Sequence, residues 1–293
     1  MSFEKWIKEN TSSLTGKNVA ITGSTGGLGN EICRLLASLG ASLILVDRNP
    51  ARSEKFKSEL ETRYNISVKC IPADLEDINS VKAAAAALLS ENIDVFIHNA
   101  GAYSIPRHKC ESGYDNVFQI NFLSPYYIIR TILPELRKRG GRVVAVSSIA
   151  HNYSKIDVND VDFATRRAAS KVYGNAKRFL TYSLFKLFKG EEEATLAITH
   201  PGISFTGITA HYPKLIFALI KYPMKIIFMK PKKAALSVVK GVFEKTEAYE
   251  WFGPRLFDVW GLPKKKPLKT AKEAEITKIA EIAENIYREI SEN

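Results

Sequence analysis

NVAITGSTGGLG, residues Asn18 to Gly29, decides how the rest of the chain is read. Val19, Ala20 and Ile21 form a short apolar run with the look of a buried parallel strand, and it ends at once in a turn carrying Gly23, Gly26, Gly27 and Gly29. From Asn30 to Leu39, apolar residues recur at helical spacing (Ile32, Leu35, Leu36, Leu39), so the glycines open a helix. Glycine lets a bulky anion approach the backbone, and a helix N-terminus offers free N–H groups with partial positive charge. Together they suit a pyrophosphate. Thr22 to Gly29 fits T-G-x-x-x-G-x-G, a wide-spaced variant of the dinucleotide fingerprint. A glycine-rich turn with no ligand is the alternative reading.

The 293 residues are expected to form one α/β domain, since nothing resembles a linker or a low-complexity segment. The 45% hydrophobic content suffices for a sizeable core. Cys33, Cys70 and Cys110 are widely separated, which points to a reducing compartment and no structural zinc. Residues 1–14 are polar and lack the apolar core of a signal peptide, so residence in the cytoplasm is expected. The net charge of +11 favours anionic partners such as nucleotide cofactors or acidic membrane surfaces. No aromatic-and-basic motif accompanies it, so nucleic acid is not expected as a partner.

Along the chain, Ser42 to Val46 reads as a second strand leading to Asp47, whose carboxylate is placed to accept from adenosine ribose hydroxyls. That favours NAD; Arg48 beside it could instead pair with a 2′-phosphate, leaving NADP as the alternative. A third strand, Val68 to Ile71, leads to Asp74 and Leu75, where the adenine would lie. Asp94 to His98 is a fourth strand, followed by the small backbone of Asn99, Ala100 and Gly101. Strands alternating with helices, without hairpin turns, predict a doubly wound parallel sheet, with ligands at its carboxyl ends.

In the helical region from Glu111 to Arg139, Asn121 is a poor interior helix residue, pointing equally to a hydrogen-bonding task or a local kink. Arg142 to Val146 is a fifth strand ending in Ser147 and Ser148, and Thr195 to His200 a sixth, with His200 more often structural than catalytic. Tyr173 and Lys177, four apart on a helix, share one face, so the cation can favour the phenolate and suit Tyr173 to acid/base work on an alcohol or carbonyl. Tyr182 and Lys186 repeat the spacing nine residues later, about half a turn round the helix, so only one pair can face the cleft. Gly174 and Ala176 leave room for a ligand beside Tyr173, whereas Leu184 and Phe185 would fill it.

Taken together, the glycine turn, Asn99-Ala100-Gly101, Asn121, Ser148, Tyr173, Lys177 and Pro201-Gly202 resemble the short-chain dehydrogenase/reductase family, over about residues 15 to 260. The VSSIAH segment, the long gap from Ser148 to Tyr173 and Trp251-Phe252-Gly253-Pro254 are similar to its retinol dehydrogenase branch. The Asp47-Arg48 pair departs from that branch's usual NADP-type pattern. The resemblance implies a Rossmann fold and a catalytic set of Asn121, Ser148, Tyr173 and Lys177. In that set, Tyr173 exchanges the substrate proton, Ser148 holds the substrate oxygen, Lys177 holds the nicotinamide ribose and Asn121 places a relay water. It implies dinucleotide contacts from Gly23, Ser24, Thr25, Gly27, Leu28 and Gly29 in the turn, and from Asp47, Arg48, Asp74 and Leu75 on the adenosine side. Asn99, Ala100, Gly101, Tyr173, Lys177, Pro201, Gly202, Ile203 and Thr206 follow on the nicotinamide side.

Between Thr206 and Lys233 an apolar stretch dotted with lysines is expected as a lid over an apolar alcohol or carbonyl substrate, with peripheral membrane contact or an oligomer interface as alternatives. An isoleucine stripe from Ile276 to Ile290 predicts a terminal helix over about residues 270 to 291. The expected protein is an NAD(P)-dependent oxidoreductase; a catalytically silent dinucleotide sensor or scaffold of the same fold is the rival.

Overall fold

The computed structural model describes residues 2–202 and 229–292. A short amphipathic helix α1 (Phe3–Asn10), capped by the Ser2 side chain, buries Trp6 against the body. The expected alternation then follows: β1 (Asn18–Thr22), α2 (Gly27–Ser38), β2 (Ser42–Asp47), α3 (Pro50–Tyr64), β3 (Val68–Pro72), α4 (Ile78–Leu89) and β4 (Val95–His98). The second half carries α5 (Asn116–Phe118), a π-helical turn (Gln119–Leu123), α6 (Ser124–Lys138), β5 (Arg142–Val146), a 3-10 turn (Ile149–Tyr153), α7 (Ala169–Leu187) and β6 (Thr195–Thr199). It closes with α8 (Pro231–Phe243), β7 (Glu250–Leu256), β8 (Trp260–Pro267) and α9 (Glu273–Glu292).

One eight-stranded sheet runs in the order β3-β2-β1-β4-β5-β6-β7-β8. All pairs are parallel except β7 with β8, an antiparallel hairpin. The sequence expectation had no hairpin; otherwise the doubly wound sheet stands as expected.

Both faces of the inner strands are buried, as parallel strands require. Ala20, Phe96, Val143 and Ala145 face the core beneath α4, α6, α7 and α9, while Val19, Ile21, Val144 and Val146 face the core beneath α1, α2, α3 and α8. The isoleucine stripe packs on the body: Ile276, Ile279, Ile286 and Ile290 of α9 are all buried. The order of strands reverses between β1 and β4, so the turns leaving their carboxyl ends splay apart and open a crevice between them. Among the described residues no helix is long and apolar enough to cross a membrane. The lid expected over 206–233, together with Ile203 and Thr206, lies outside the described residues except at its end from Met229 onward.

Candidate active site

Gly23 and Gly29 show why the turn after β1 has no side chains at those positions. Gly23 has φ +68°, and a Cβ on it would stand 2.9 Å from the Ala100 Cα. At Gly29 a Cβ would lie 2.1 Å from the Gly23 carbonyl oxygen. The atom the Cβ would meet is backbone, so no flexible side chain can move aside. Gly26, the N-cap of α2, and Gly27 are exposed and no side chain caps the helix, so its first N–H groups face outward where an anion can reach them. Gly29→Ala is therefore expected to cost about 3 kcal/mol of stability and to weaken dinucleotide binding. Thermal melting and fluorescence titration check both, and a melting point unchanged from wild type would contradict the clash.

The turn is stitched to the end of β4. The backbone N–H groups of Asn99 and Ala100 both donate to the Thr22 hydroxyl at 3.1 Å, and the Asn99 amide donates to the Thr22 and Gly23 carbonyls at 3.1 and 3.0 Å. Asn99 thus serves the shape of the turn.

Asp47 ends β2 and lines the cleft, as expected, and it also bonds to the glycine turn. Its carboxylate accepts from the Ser24 hydroxyl and from the Thr25 N–H and hydroxyl at 3.2 and 3.1 Å, and only 6% of the residue is exposed. The carboxylate thereby fastens the glycine turn to the end of β2. The Arg48 side chain, by contrast, is 69% exposed, with its Nε 4.0 Å from the Asp74 carboxylate. Asp74 in turn accepts from the Glu76 N–H at 3.0 Å, and the Leu75 carbonyl accepts from Ser124 and Gln119 at 2.7 and 3.3 Å.

A cleft of about 620 Å³ runs along these carboxyl ends, lined by Gly23, Asp47, Arg48, Asp74 and Leu75 at one part and Gly101, Tyr103 and Ile105 at another. At Gly101 it borders two of the expected catalytic residues, Asn121 and Lys177. A Cβ there would stand 2.9 Å from the Asn121 Oδ1 and 3.5 Å from the Lys177 Nζ. Asn121 lies in the middle of the π turn and is fully buried; its amide donates to the Ala102 and Val117 carbonyls at 2.8 Å each, and its Oδ1 accepts from the Ala102 N–H at 3.2 Å. The hydrogen-bonding task and the local distortion therefore coincide.

Lys177 is buried, and its ammonium donates to the Val146 carbonyl at 3.0 Å, at the end of β5. Burial lowers it from its ordinary value to about 7. Its Nζ lies 5.7 Å from the centroid of the Tyr173 ring. Burial raises the Tyr173 phenol, against which a hydrogen bond with the Ser148 side chain pulls it down. Helix α7 lies hard against the 3-10 turn that follows Ser148: a Cβ at Gly174 would be 2.3 Å from the Ala150 carbonyl oxygen. That glycine is what allows Ser148 and Tyr173 to meet.

The second tyrosine–lysine pair faces elsewhere. The Tyr182 hydroxyl bonds to Thr270 at 2.9 Å, and Lys186 reaches Thr277 at 3.4 Å, both in the C-terminal segment. His200 stacks on Trp251, with centroids 5.1 Å apart, and burial lowers it to about 4, which keeps it neutral. Gly202, at φ +79°, turns the chain after β6; a Cβ there would meet the Val259 carbonyl oxygen at 2.7 Å, and Pro201 precedes it. Sequence reasoning missed Tyr103, whose ring packs edge-on to Tyr173 with centroids 5.3 Å apart. Its only sequence signal is a place two residues after Gly101.

Comparison with known proteins fits this geometry. The short chain dehydrogenase family model matches residues 17–160. Short-chain dehydrogenase TIC 32 A, chloroplastic, from Brassica napus is 30% identical over 222 residues, covering 69% of this chain and 68% of that protein. The chain belongs to the short-chain dehydrogenase family. Mouse retinol dehydrogenase 12 is 32% identical over 203 residues, which cover 67% of this chain and 64% of that protein. The chain thus matches a little under two thirds of the length of that relative. Among solved structures, an uncharacterized protein from Mycobacterium paratuberculosis matches with a TM-score of 0.73 at 22% identity, covering 97% of both chains. The Pseudomonas aeruginosa RhlG/NADP active-site complex matches with a TM-score of 0.60 at 25% identity, covering 79% of this chain and 91% of that one. In this short-chain dehydrogenase, Gly23 and Thr25 of the glycine turn, Asp47, Asp74, Ala100 and Gly101 line one cleft.

Proposed function

We propose that this protein is an NAD(P)-dependent oxidoreductase that interconverts an apolar alcohol and its ketone or aldehyde. The carrying observation is a connected set: Asn121 and Lys177 stand beside Gly101 at the cleft, the Lys177 ammonium lies near the Tyr173 ring, and the Tyr173 phenol bonds to Ser148. The residues present fit a dinucleotide: the bare N-terminus of α2 suits a pyrophosphate, and Gly23, Gly29 and Gly101 stand where a Cβ would meet neighbouring backbone or the catalytic groups. When bound, the nicotinamide supplies or accepts the hydride for the alcohol–carbonyl exchange.

The chain's own residues do the rest. Ser148 holds the substrate oxygen and steadies the Tyr173 phenolate through their shared hydrogen bond. Tyr173 gives up or takes the proton at that oxygen. Lys177, in its charged form, favours the phenolate, and the Val146 carbonyl aims its ammonium. Asn121 fixes the backbone of Ala102 from both sides and so holds the cleft wall beside the reacting centre.

On the adenosine side, the engaged carboxylate of Asp47 and the exposed guanidinium of Arg48 support NADP(H) over the NAD expected from sequence. The RhlG relative is described in complex with NADP. Arg52 also lines this part of the cleft. Arg48→Gln is expected to raise the Kd for NADPH about tenfold, as loss of a charge-assisted contact does, and to leave NADH nearly unchanged. Equal effects on both would return the preference to NAD.

The test of the function is titration with NADH and NADPH, followed by an absorbance screen against apolar ketones, aldehydes and alcohols. Turnover supports the proposal. Dinucleotide binding with no turnover across the panel would favour the sensor instead.

A further inference from the structure

We infer that Arg178 is a positioning residue for this site and that, through it, the C-terminal helix α9 completes the frame that holds Ser148. The inference rests on the reactive set proposed above.

Arg178 follows Lys177 on α7, so its side chain leaves the helix roughly a quarter turn away from the lysine. It is 4% exposed. Its planar fork reaches three separate parts of the chain. Nε and one terminal nitrogen donate to the two Glu275 oxygens on α9, at 2.7 and 2.5 Å. The other terminal nitrogen donates to the His151 carbonyl at 2.9 Å, and a longer bond of 3.4 Å goes to the Thr270 carbonyl. The guanidinium also lies over the Tyr182 ring, 4.7 Å from its centroid.

His151 is the hinge of the connection. Its N–H donates to the Ser148 carbonyl at 3.1 Å, its ring Nδ1 bonds the same oxygen at 2.6 Å, and the Ala150 N–H donates to the Ser148 hydroxyl at 3.2 Å. An unbroken chain of hydrogen bonds therefore runs from Glu275 through Arg178 and His151 to Ser148. A parallel tie reinforces it: Tyr182 bonds to Thr270, whose hydroxyl donates to Asn152 at 2.8 Å.

A buried ion pair adds little net stability over an apolar pair of the same volume. Stability alone is thus a poor reason for Arg178 and Glu275. What only a guanidinium can do here is hold a carboxylate with one edge while it holds the backbone of the Ser148 turn with another. Misplacing a reacting group by about 1 Å can cost around a hundredfold in rate.

The experiment compares wild type with Arg178→Lys and with the double variant Arg178→Met/Glu275→Leu, which removes both charges and keeps an apolar filling. Three quantities are read: kcat, the Kd for the preferred dinucleotide, and hydrogen exchange of the Ala150 and His151 amides against those of α7. The expected result is a kcat lowered about 10- to 100-fold, a Kd within twofold of wild type, and at least tenfold faster exchange at Ala150 and His151 while α7 stays protected. Unchanged kcat, unchanged exchange at those two amides, or equal loosening of α7 and the turn would overturn the positioning role. Should wild type turn over no alcohol or carbonyl, the proposed function fails by itself. The exchange data then decide on their own whether Arg178 fixes the Ser148 turn.

Discussion

Tyr173→Phe is expected to lower kcat about a thousandfold while dinucleotide affinity and thermal stability stay close to wild type. General acid/base groups contribute on the order of 10²- to 10⁴-fold, and the phenol hydroxyl, hydrogen-bonded to Ser148, is the group proposed to move the proton. The ring itself remains in the variant, so its edge-on packing with Tyr103 is kept. Steady-state kinetics on the best substrate from the screen, with a parallel titration, checks this. A variant that retains a tenth of the wild-type rate would remove Tyr173 from the proton-transfer role.

Lys177→Met is expected to abolish turnover and, at neutral pH and below, to make the protein more stable. Burial lowers the folded-state lysine from 10.5 to about 7. Between those values the unfolded chain binds a proton that the folded chain does not, so stability rises with pH across that window, and the full cost is present below about pH 7. At about 1.4 kcal/mol per pH unit the cost approaches about 5 kcal/mol. Against this, the variant leaves the Val146 carbonyl without its donor, a loss of about 1–3 kcal/mol. The net expectation is a gain of about 2 kcal/mol at pH 6 that shrinks as the pH approaches 10. Denaturant unfolding of both proteins at pH 6, 8 and 10 measures it. Parallel stability curves for the two would show that Lys177 carries no ionisation cost. An ammonium kept buried at such a cost is what a site held for chemistry requires.

Much of this site is legible in sequence because its parts are local. The glycine turn, the strand ends at Asn99–Gly101 and Ser148, and the face shared by Tyr173 and Lys177 each follow from spacing within a single strand–turn–helix unit. The choice between Tyr173 and Tyr182 was also open to reading, since small residues flank one and bulky ones the other. For Asp47, the bonds to the glycine turn were not legible in the same way. Its partners, Ser24 and Thr25, lie more than twenty residues earlier, and only the β1–β2 pairing brings them within reach. Helix α1 escaped notice because it spans only eight residues, so that Phe3, Trp6 and Ile7 give a helical spacing for barely two turns. The β7–β8 hairpin was hidden by its composition. Trp260 to Pro267 carries two prolines and three lysines, residues depleted in strands and tolerated at an edge. The role of Arg178 depends on a helix almost a hundred residues later and has no local signature.

That hairpin sets the limits of the sheet. β8 is one border strand and β3 the other. β8 presents Pro263 and Pro267 with Lys264, Lys265 and Lys266, and β3 carries Lys69 and ends at Pro72. A proline offers no N–H to a neighbour, and a row of lysines resists an incoming strand. Among the described residues, both margins therefore disfavour backbone pairing between molecules. These features work against growth of the sheet across copies, the route by which exposed edges aggregate.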